Sequence, residues 1–275
     1  MVCAYDALPF ASPGHSCILE KHAVTRVVSI FPPSMIKALK KLVLQLLVSR
    51  GYCISFGEPA TLAGIISAFD RPGKDFFFVQ VGAYDGRESD PIRDFVRERH
   101  WRGILVEPQP DAFARLKKNY AGCPGLFFEN VAISTTSGDL PFYRLKDEHA
   151  HLFHAGHELL SSLDPDHVLK HLTVPMDAAT ALECTSVPCI TFTQLLERHN
   201  AGSIDLLQID AEGYDFKIIS SIDFSKTRPS VIRFEHMHLT GAEKLQCLEM
   251  LVSHGYKLVV GGCDITAFQS RWIYD

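Results

Sequence analysis

Three short stretches hold the groups that could do chemistry. Val81-Gly82-Ala83-Tyr84-Asp85-Gly86 closes the apolar run Phe76 to Val81 and puts two glycines where a strand gives way to a loop. Without Cβ atoms a backbone can approach a ligand closely, and a helix starting there presents N–H groups, so this is a nucleotide-type loop. It is not the GxGxxG pattern of dinucleotide binders, because Tyr84 stands two residues after Gly82. Glu107 ends a second apolar run, Ile104-Leu105-Val106, 21 residues after Gly86. A carboxylate at that point can accept both ribose hydroxyls of an adenosine whose tail lies over the glycine loop. Pro108 sharpens the exit, and the competing reading of Glu107 is a solvated strand terminus. The third stretch, Gln208-Ile209-Asp210-Ala211-Glu212-Gly213-Tyr214-Asp215, places acids after another apolar run. Asp210 is the first candidate for a general base, with Glu212 and His236 behind it. Glu212 as a helix cap and His236 as a satisfied structural residue are the alternatives.

These groups meet only if the strands beneath them are neighbours. From Asp75 onward short apolar runs alternate with helical stretches, the pattern of a parallel sheet covered on both faces. Phe76 to Val81, a helix over Glu88 to His100, Ile104 to Val106, a helix carrying Phe113, Leu116 and Tyr120, and a strand near Leu126 to Phe128 form the first half. The second half has a helix at Thr193 to His199, a strand at Ile204 to Ile209, a helix from Tyr214, a strand at Val231 to Phe234, and a helix at Ala242 to Ser253. Tyr256 to Val260 and Ile265 to Gln269 then make a hairpin. The expectation is a seven-stranded, mostly parallel α/β sheet of Rossmann type with an antiparallel C-terminal hairpin. In an open sheet of this kind Asp210 and Glu212 lie at the same crevice as the glycine loop.

Residues 139 to 185 interrupt the alternation with a short strand, Pro141 to Leu145, and a histidine-rich polar stretch, read as an inserted loop or lid. His149, His151, His154, His157, His167 and His171 crowd it. Metal binding is an alternative there, but without a recognised ligand spacing no metal site is assigned and an exposed loop is the simpler reading. Residues 1 to 34 are expected to be an irregular extension, and 35 to 74 a helical segment. Within it Ile36, Leu39, Leu42, Val43, Leu46 and Leu47 trace one face of a lysine-bearing amphipathic helix.

Of the 275 residues, 47% are hydrophobic and 21% charged, which excludes disorder over most of the chain. A formal charge of -5 gives no general basic field, so nucleic acid is not an expected partner. No apolar window is long enough to span a bilayer, and no secretory layout is evident at the N-terminus. Eight cysteines lack any CxxC pair, which predicts reduced thiols and a cytoplasmic location.

Four motifs together carry a family resemblance: Val79 to Gly86; Leu105 to Phe113 with Leu116 and Asn119; Asn130-Val131-Ala132-Ile133-Ser134 with Gly138; and Ile204-Asp205 through Asp210 to Tyr214. In order and spacing they resemble FkbM-family methyltransferases over about residues 75 to 222. The resemblance implies a class I methyltransferase fold, S-adenosylmethionine as cofactor, and O-methylation of a hydroxyl on a sugar, other glycan or secondary metabolite. It implies that Gln80, Gly82, Ala83, Tyr84, Asp85 and Gly86 hold the methionine part, that Glu107 and Pro108 hold the ribose, and that Asn130, Val131 and Ala132 wall the adenine. Asp210 is counted with the cofactor contacts as well, and Ser161 and Ser162 with the substrate. The family commonly has an acid at position 80, an asparagine at 84 and a lysine at 208. Outside methyl transfer, a nicotinamide-dependent oxidoreductase shares the fold and the acid at 107, and a noncatalytic nucleotide-binding module is the third reading.

Overall fold

The structure is a computed structural model that describes residues 62–71, 73–152 and 160–269. The expected irregular extension, the lysine-bearing helix, His154 and His157 lie outside the described residues. Contacts divide the chain into Met1–Tyr52 and Cys53–Asp275, and everything described below belongs to the second unit.

That unit is built on a seven-stranded sheet. Its strands are β1 (Phe77–Val81), β2 (Arg102–Val106), β3 (Leu126–Glu129), β8 (Leu206–Ile209), β9 (Val231–Glu235), β10 (Tyr256–Val260) and β11 (Asp264–Gln269), in the order β10-β11-β9-β8-β1-β2-β3. The first five named run parallel, while β11 pairs antiparallel with both β9 and β10. Helices pack both faces. The chain moves outward from β1 to β3, then returns to β8 on the other side of β1, so the strand order reverses between β1 and β8. Ligands of open α/β sheets bind at such a reversal, outside the carboxyl ends of the strands.

Apolar runs explain the strands: Phe78, Val79, Ile104, Leu105, Leu206, Leu207 and Ile232 are all fully buried, as a sheet covered on both sides requires. Helix α1 (Leu62–Phe69) adds Ile65, Ile66 and Phe69 to this core. Trp101 is sandwiched between Phe76, at 4.1 Å between ring centroids, and Phe95, at 5.4 Å. Its indole N–H donates to Asp70, so the polar edge is satisfied as well.

Helix α2 (Arg93–Arg99) begins later than its sequence pattern suggests. Asp85 accepts the N–H groups of Arg87 and Glu88 and Asp90 accepts that of Ile92, so side chains take donors that a helix would have used. The next helix, α3 (Pro110–Asn119), starts on a proline at its first turn.

The interruption between β3 and β8 is itself a sheet. Strands β4 (Ala132–Ile133), β5 (Gly138–Leu145), β6 (Ser161–Ser162) and β7 (Leu182–Ile190) form a four-stranded layer in the order β4-β7-β5-β6. An exposed middle, Cys184 to Ser186, rather than an apolar run, hides β7 from a search for buried segments. Short helices α4 (Pro165–Leu169) and α5 (Ala178–Ala181) lie between β6 and β7. Helix α6 (Phe192–Arg198) follows with a Thr191–Gln194 capping box, α7 (Asp215–Ser220) follows β8, and α8 (Gly241–Ser253) follows β9 with a second box from Thr240 and Glu243.

Candidate active site

A cleft open to solvent lies over the carboxyl ends of β1, β2 and β8, walled by Gly82, Ala83, Glu107, Val131, Asp210 and Glu212 among others.

One wall is the glycine loop. Gly82 has φ +76°, and a Cβ there would lie 1.8 Å from the Asp210 carbonyl oxygen, so no side chain fits where the loop crosses the end of β8. The N–H groups of Gly82 and Ala83 both donate to the carbonyl of Val106. Tyr84 sits at φ +44°, left-handed backbone that a bulky residue rarely adopts, and its ring receives the Arg115 guanidinium at 5.2 Å. Gly86 lets the loop close on Leu116 and Tyr120, and Asp85 works as a turn former with its carbonyl bound by Asn119.

Glu107 is 3% exposed and both its oxygens are engaged: Oε2 accepts the Tyr84 N–H at 2.9 Å and Oε1 the Gln109 N–H at 2.8 Å. Burial raises its pKa to about 7, against the lowering influence of those two N–H groups and of Arg115. Each carboxylate oxygen keeps a second lone-pair direction for a ligand. Gln80, also buried, donates through Nε2 to Asp90 at 3.2 Å while its Oε1 has no hydrogen-bond partner. Asp90 in turn accepts from the Tyr120 hydroxyl at 2.7 Å. Val131 and Ala132 line the cleft, whereas the Asn130 amide donates to the carbonyls of Glu107 and Pro108 and shapes the loop.

The facing wall is acidic. Asp210 opens onto the cleft while protein closes around its other sides, and burial together with Glu235 and Asp264 raises its pKa to about 7. Glu212, at φ +46°, is raised by burial and by Asp210 and Glu235. Its Oε2 lies 3.1 Å from His167 Nε2 and 3.8 Å from His238 Nε2, and Glu235 Oε2 lies 3.2 Å from the same His238 nitrogen. Asp215 is fully buried, accepts the N–H groups of Ala211 and Glu235, and is raised by burial. Burial also holds His167 down to about 2 and His171 to about 4.

The structure thus gathers Gln80, Gly82, Ala83, Tyr84, Glu107, Pro108, Asp210 and Glu212 around one cleft, while Asp85 and Gly86 are not among the residues lining it. His236 is not among the residues lining it: its Nε2 faces the Gly261 carbonyl, under the turn between β10 and β11. Glu235, the last residue of β9, and His238, in the turn just beyond it, reach the acids instead. Ser161 lines the cleft with its hydroxyl buried and without a hydrogen-bond partner, and Ser162 donates to the Glu212 carbonyl at 2.8 Å. Sequence reasoning missed Asp90 and His238. Only an odd His-x-His pair, His236 and His238, hinted at the latter.

A seven-stranded sheet with a reversed C-terminal hairpin and a cleft at the β1–β8 reversal is the arrangement of a class I methyltransferase. The family profile described as the methyltransferase FkbM domain matches residues 80–258, more than half of the chain. The chain belongs to that family and is an S-adenosylmethionine-dependent methyltransferase. No curated protein sequence matches it. Solved structures similar to it include precorrin-6y C5,15-methyltransferase from Geobacter metallireducens, at 13% identity and TM-score 0.39 over 78% of this chain and 94% of that one. The Methanococcus jannaschii fibrillarin pre-rRNA processing protein matches at 10% identity and TM-score 0.37, over 79% and 81%. A TehB-like methyltransferase from Corynebacterium glutamicum matches at 11% and 0.35, over 86% and 99%. Among the described residues no helix is long and apolar enough to cross a membrane.

Proposed function

We propose that this chain methylates a hydroxyl oxygen of a sugar, other glycan or secondary metabolite. The observation that carries the reading is one cleft in which the glycine loop and Glu107 face Asp210 across the reversal point of the sheet. The donor fits the residues present: Gln80 Oε1, buried and unpaired, is an acceptor for an amino group, and Glu107 has lone pairs left for ribose hydroxyls. When bound, S-adenosylmethionine supplies a sulfonium methyl, so that a C–O bond forms to the acceptor oxygen as the C–S bond breaks and S-adenosylhomocysteine leaves with that electron pair.

The protein's part is alignment and proton removal. Glu107 and Pro108 hold the ribose, the Gly82–Gly86 loop holds the methionine part, and Val131 and Ala132 wall the base. Asp210 takes the hydroxyl proton, since it opens onto the cleft and its pKa is raised to about 7. Ser161 offers a hydroxyl to the acceptor, and Ser162 holds the Glu212 loop. The four-stranded layer that carries Ser161 serves as the lid over the acceptor.

Isotope-labelled S-adenosylmethionine, incubated with the protein and a panel of hydroxylated sugars, glycans and aglycones, tests the reading. Label appearing as an O-methyl group supports it. Binding of NAD with no binding of S-adenosylhomocysteine would replace it by the oxidoreductase alternative.

A further inference from the structure

Behind the acidic wall lies a histidine cluster that methyl transfer does not use. His167 on α4 and His171, four residues later, fall on one side of the chain. His238, just past β9, meets both. Ring centroids are 4.4 Å apart for His167 and His238, 4.8 Å for His171 and His238, and 5.1 Å for His167 and His171. Two carboxylates close the group, and the spacings of 3.1, 3.2 and 3.8 Å between their oxygens and the imidazole nitrogens were given above. The ligand atoms of His167, His171 and His238 lie within 4.8 Å of one another, as do those of Glu212, Glu235 and His238, so His238 joins two triads. Ligand atoms sharing one metal at about 2.1 Å in a tetrahedral arrangement lie about 3.4 Å apart, so either triad must contract by about 1 Å around an ion.

Two further observations point the same way. His167 is 4% exposed, with its Nε2 turned to Glu212 and its Nδ1 without a hydrogen-bond partner among the described residues. Gly213, at φ +86°, lacks a side chain where a Cβ would lie 2.4 Å from that nitrogen, so the acid loop carries a residue shaped to admit the ring. Glu212, Glu235 and the nearby Asp210 converge, and among the described residues Lys170 acts on Glu212 and Glu235 and Arg233 on Asp210.

We propose that His167, His171, His238, Glu212 and Glu235 form a site for a divalent transition metal of the zinc type. An imidazole-rich set with carboxylates suits zinc, cobalt or iron better than magnesium or calcium, which prefer oxygen alone. His167 and His171 belong to the stretch expected to be an exposed loop. Their partner comes from the far side of β9, which is why no local ligand spacing announced the site. Because Glu212 also lines the cleft, a metal here adjoins the acceptor, where it lowers the pKa of a coordinated hydroxyl. That role rests on the methyl-transfer reading; metal binding itself does not.

The test uses the full chain, stripped with chelator and titrated with Co²⁺ while visible absorption is followed, then with Zn²⁺ to displace it. One equivalent of Co²⁺, with the strong bands of a four- or five-coordinate ion, is expected. His171→Gln and His238→Gln should each weaken uptake about 100-fold or more, exceeding the loss typical of a residue that only orients a ligand. His199→Gln, whose imidazole pairs with Glu129 elsewhere, should leave the spectrum unchanged. Absence of stoichiometric uptake, or uptake equal in wild type and both variants, overturns the proposal. If a variant does not fold, the wild-type melt decides: a Tm raised by one equivalent of Zn²⁺ and not by Mg²⁺ supports the site, and no rise overturns it. S-adenosylhomocysteine titrated into the same preparations keeps the two readings apart. Donor binding without metal uptake defeats the metal site alone, and metal uptake without donor binding defeats methyl transfer alone.

Discussion

The backbone of Gly82 rests against the carbonyl of Asp210 so closely that a Cβ at Gly82 would approach that oxygen to 1.8 Å. The contact joins the two walls of the cleft, since β1 and β8 are hydrogen-bonded neighbours and the Asp210 N–H donates to the Val81 carbonyl. Donor loop and acid loop therefore cannot shift independently.

Gly82→Ala is accordingly expected to destabilise the protein by about 3 kcal/mol or more, because it adds both a clash with backbone and a residue at positive φ. Urea unfolding followed by circular dichroism reads the effect. A loss below about 1 kcal/mol would mean that the loop relaxes easily and that the walls are not coupled.

Glu107 links the donor site to pH. Its carboxyl titrates at about 7, faced by Arg115 and Asp210 and by the N–H groups of Tyr84 and Gln109. Below that pH it is protonated and loses acceptor capacity, so affinity for S-adenosylhomocysteine should fall as pH drops from 8 to 6 and level off above. Stability runs the other way. The folded chain keeps this proton up to about 7 while the unfolded chain loses it near 4.5, so the ligand-free protein loses up to about 3 kcal/mol as pH rises through that window. Glu107→Gln should weaken donor binding by about 1.5 to 3 kcal/mol and flatten both slopes. Calorimetry and pH-dependent melts check the pair, and unchanged affinity in a folded variant removes Glu107 from the site.

The parallel sheet was legible because its strands are short apolar runs, interrupted only by Gln80, Gln208 and Arg233 and followed by glycines or acids, as burial on both faces produces. The glycine loop, Glu107 and Asp210 were legible for the same reason, since strand ends fix where the residues after them lie. The second sheet was not, because β7 is exposed through its middle, carries no apolar run, and pairs with β5 across some 40 positions of sequence. Nor was the meeting of Glu235 and His238 with Glu212, in place of His236: His238 lies in the turn past β9, where the two-residue period of a strand no longer fixes side-chain direction.

The hydrogen bonds from Gln80 to Asp90 and from Tyr120 to Asp90 give another handle on the donor loop. Tyr120→Phe removes one partner of a carboxylate and should cost about 1.5 to 3 kcal/mol, with some loss of donor affinity if Gln80 turns away from the cleft. Paired measurements of stability and S-adenosylhomocysteine binding separate the two. A neutral outcome in both would show that Asp90 is satisfied without the phenol.

Asp210 is the residue on which the chemistry turns. Asp210→Asn keeps the size and the hydrogen-bonding capacity of the side chain and removes its basicity. The backbone contacts that hold the cleft together, from Asp210 N–H to Val81 and from Gly82 against the Asp210 carbonyl, do not involve the carboxyl group, so they should survive the change. Turnover is therefore expected to fall about 10²- to 10⁴-fold with donor affinity nearly unchanged, the pattern of a group that acts in the transition state alone. Single-turnover rates with labelled donor, set beside calorimetric affinities, make the distinction. If donor binding collapses together with turnover, Asp210 holds the donor, and proton removal passes to Glu212 beside it. If neither changes, the acceptor lies elsewhere in the cleft and the assignment of a base at the end of β8 is wrong.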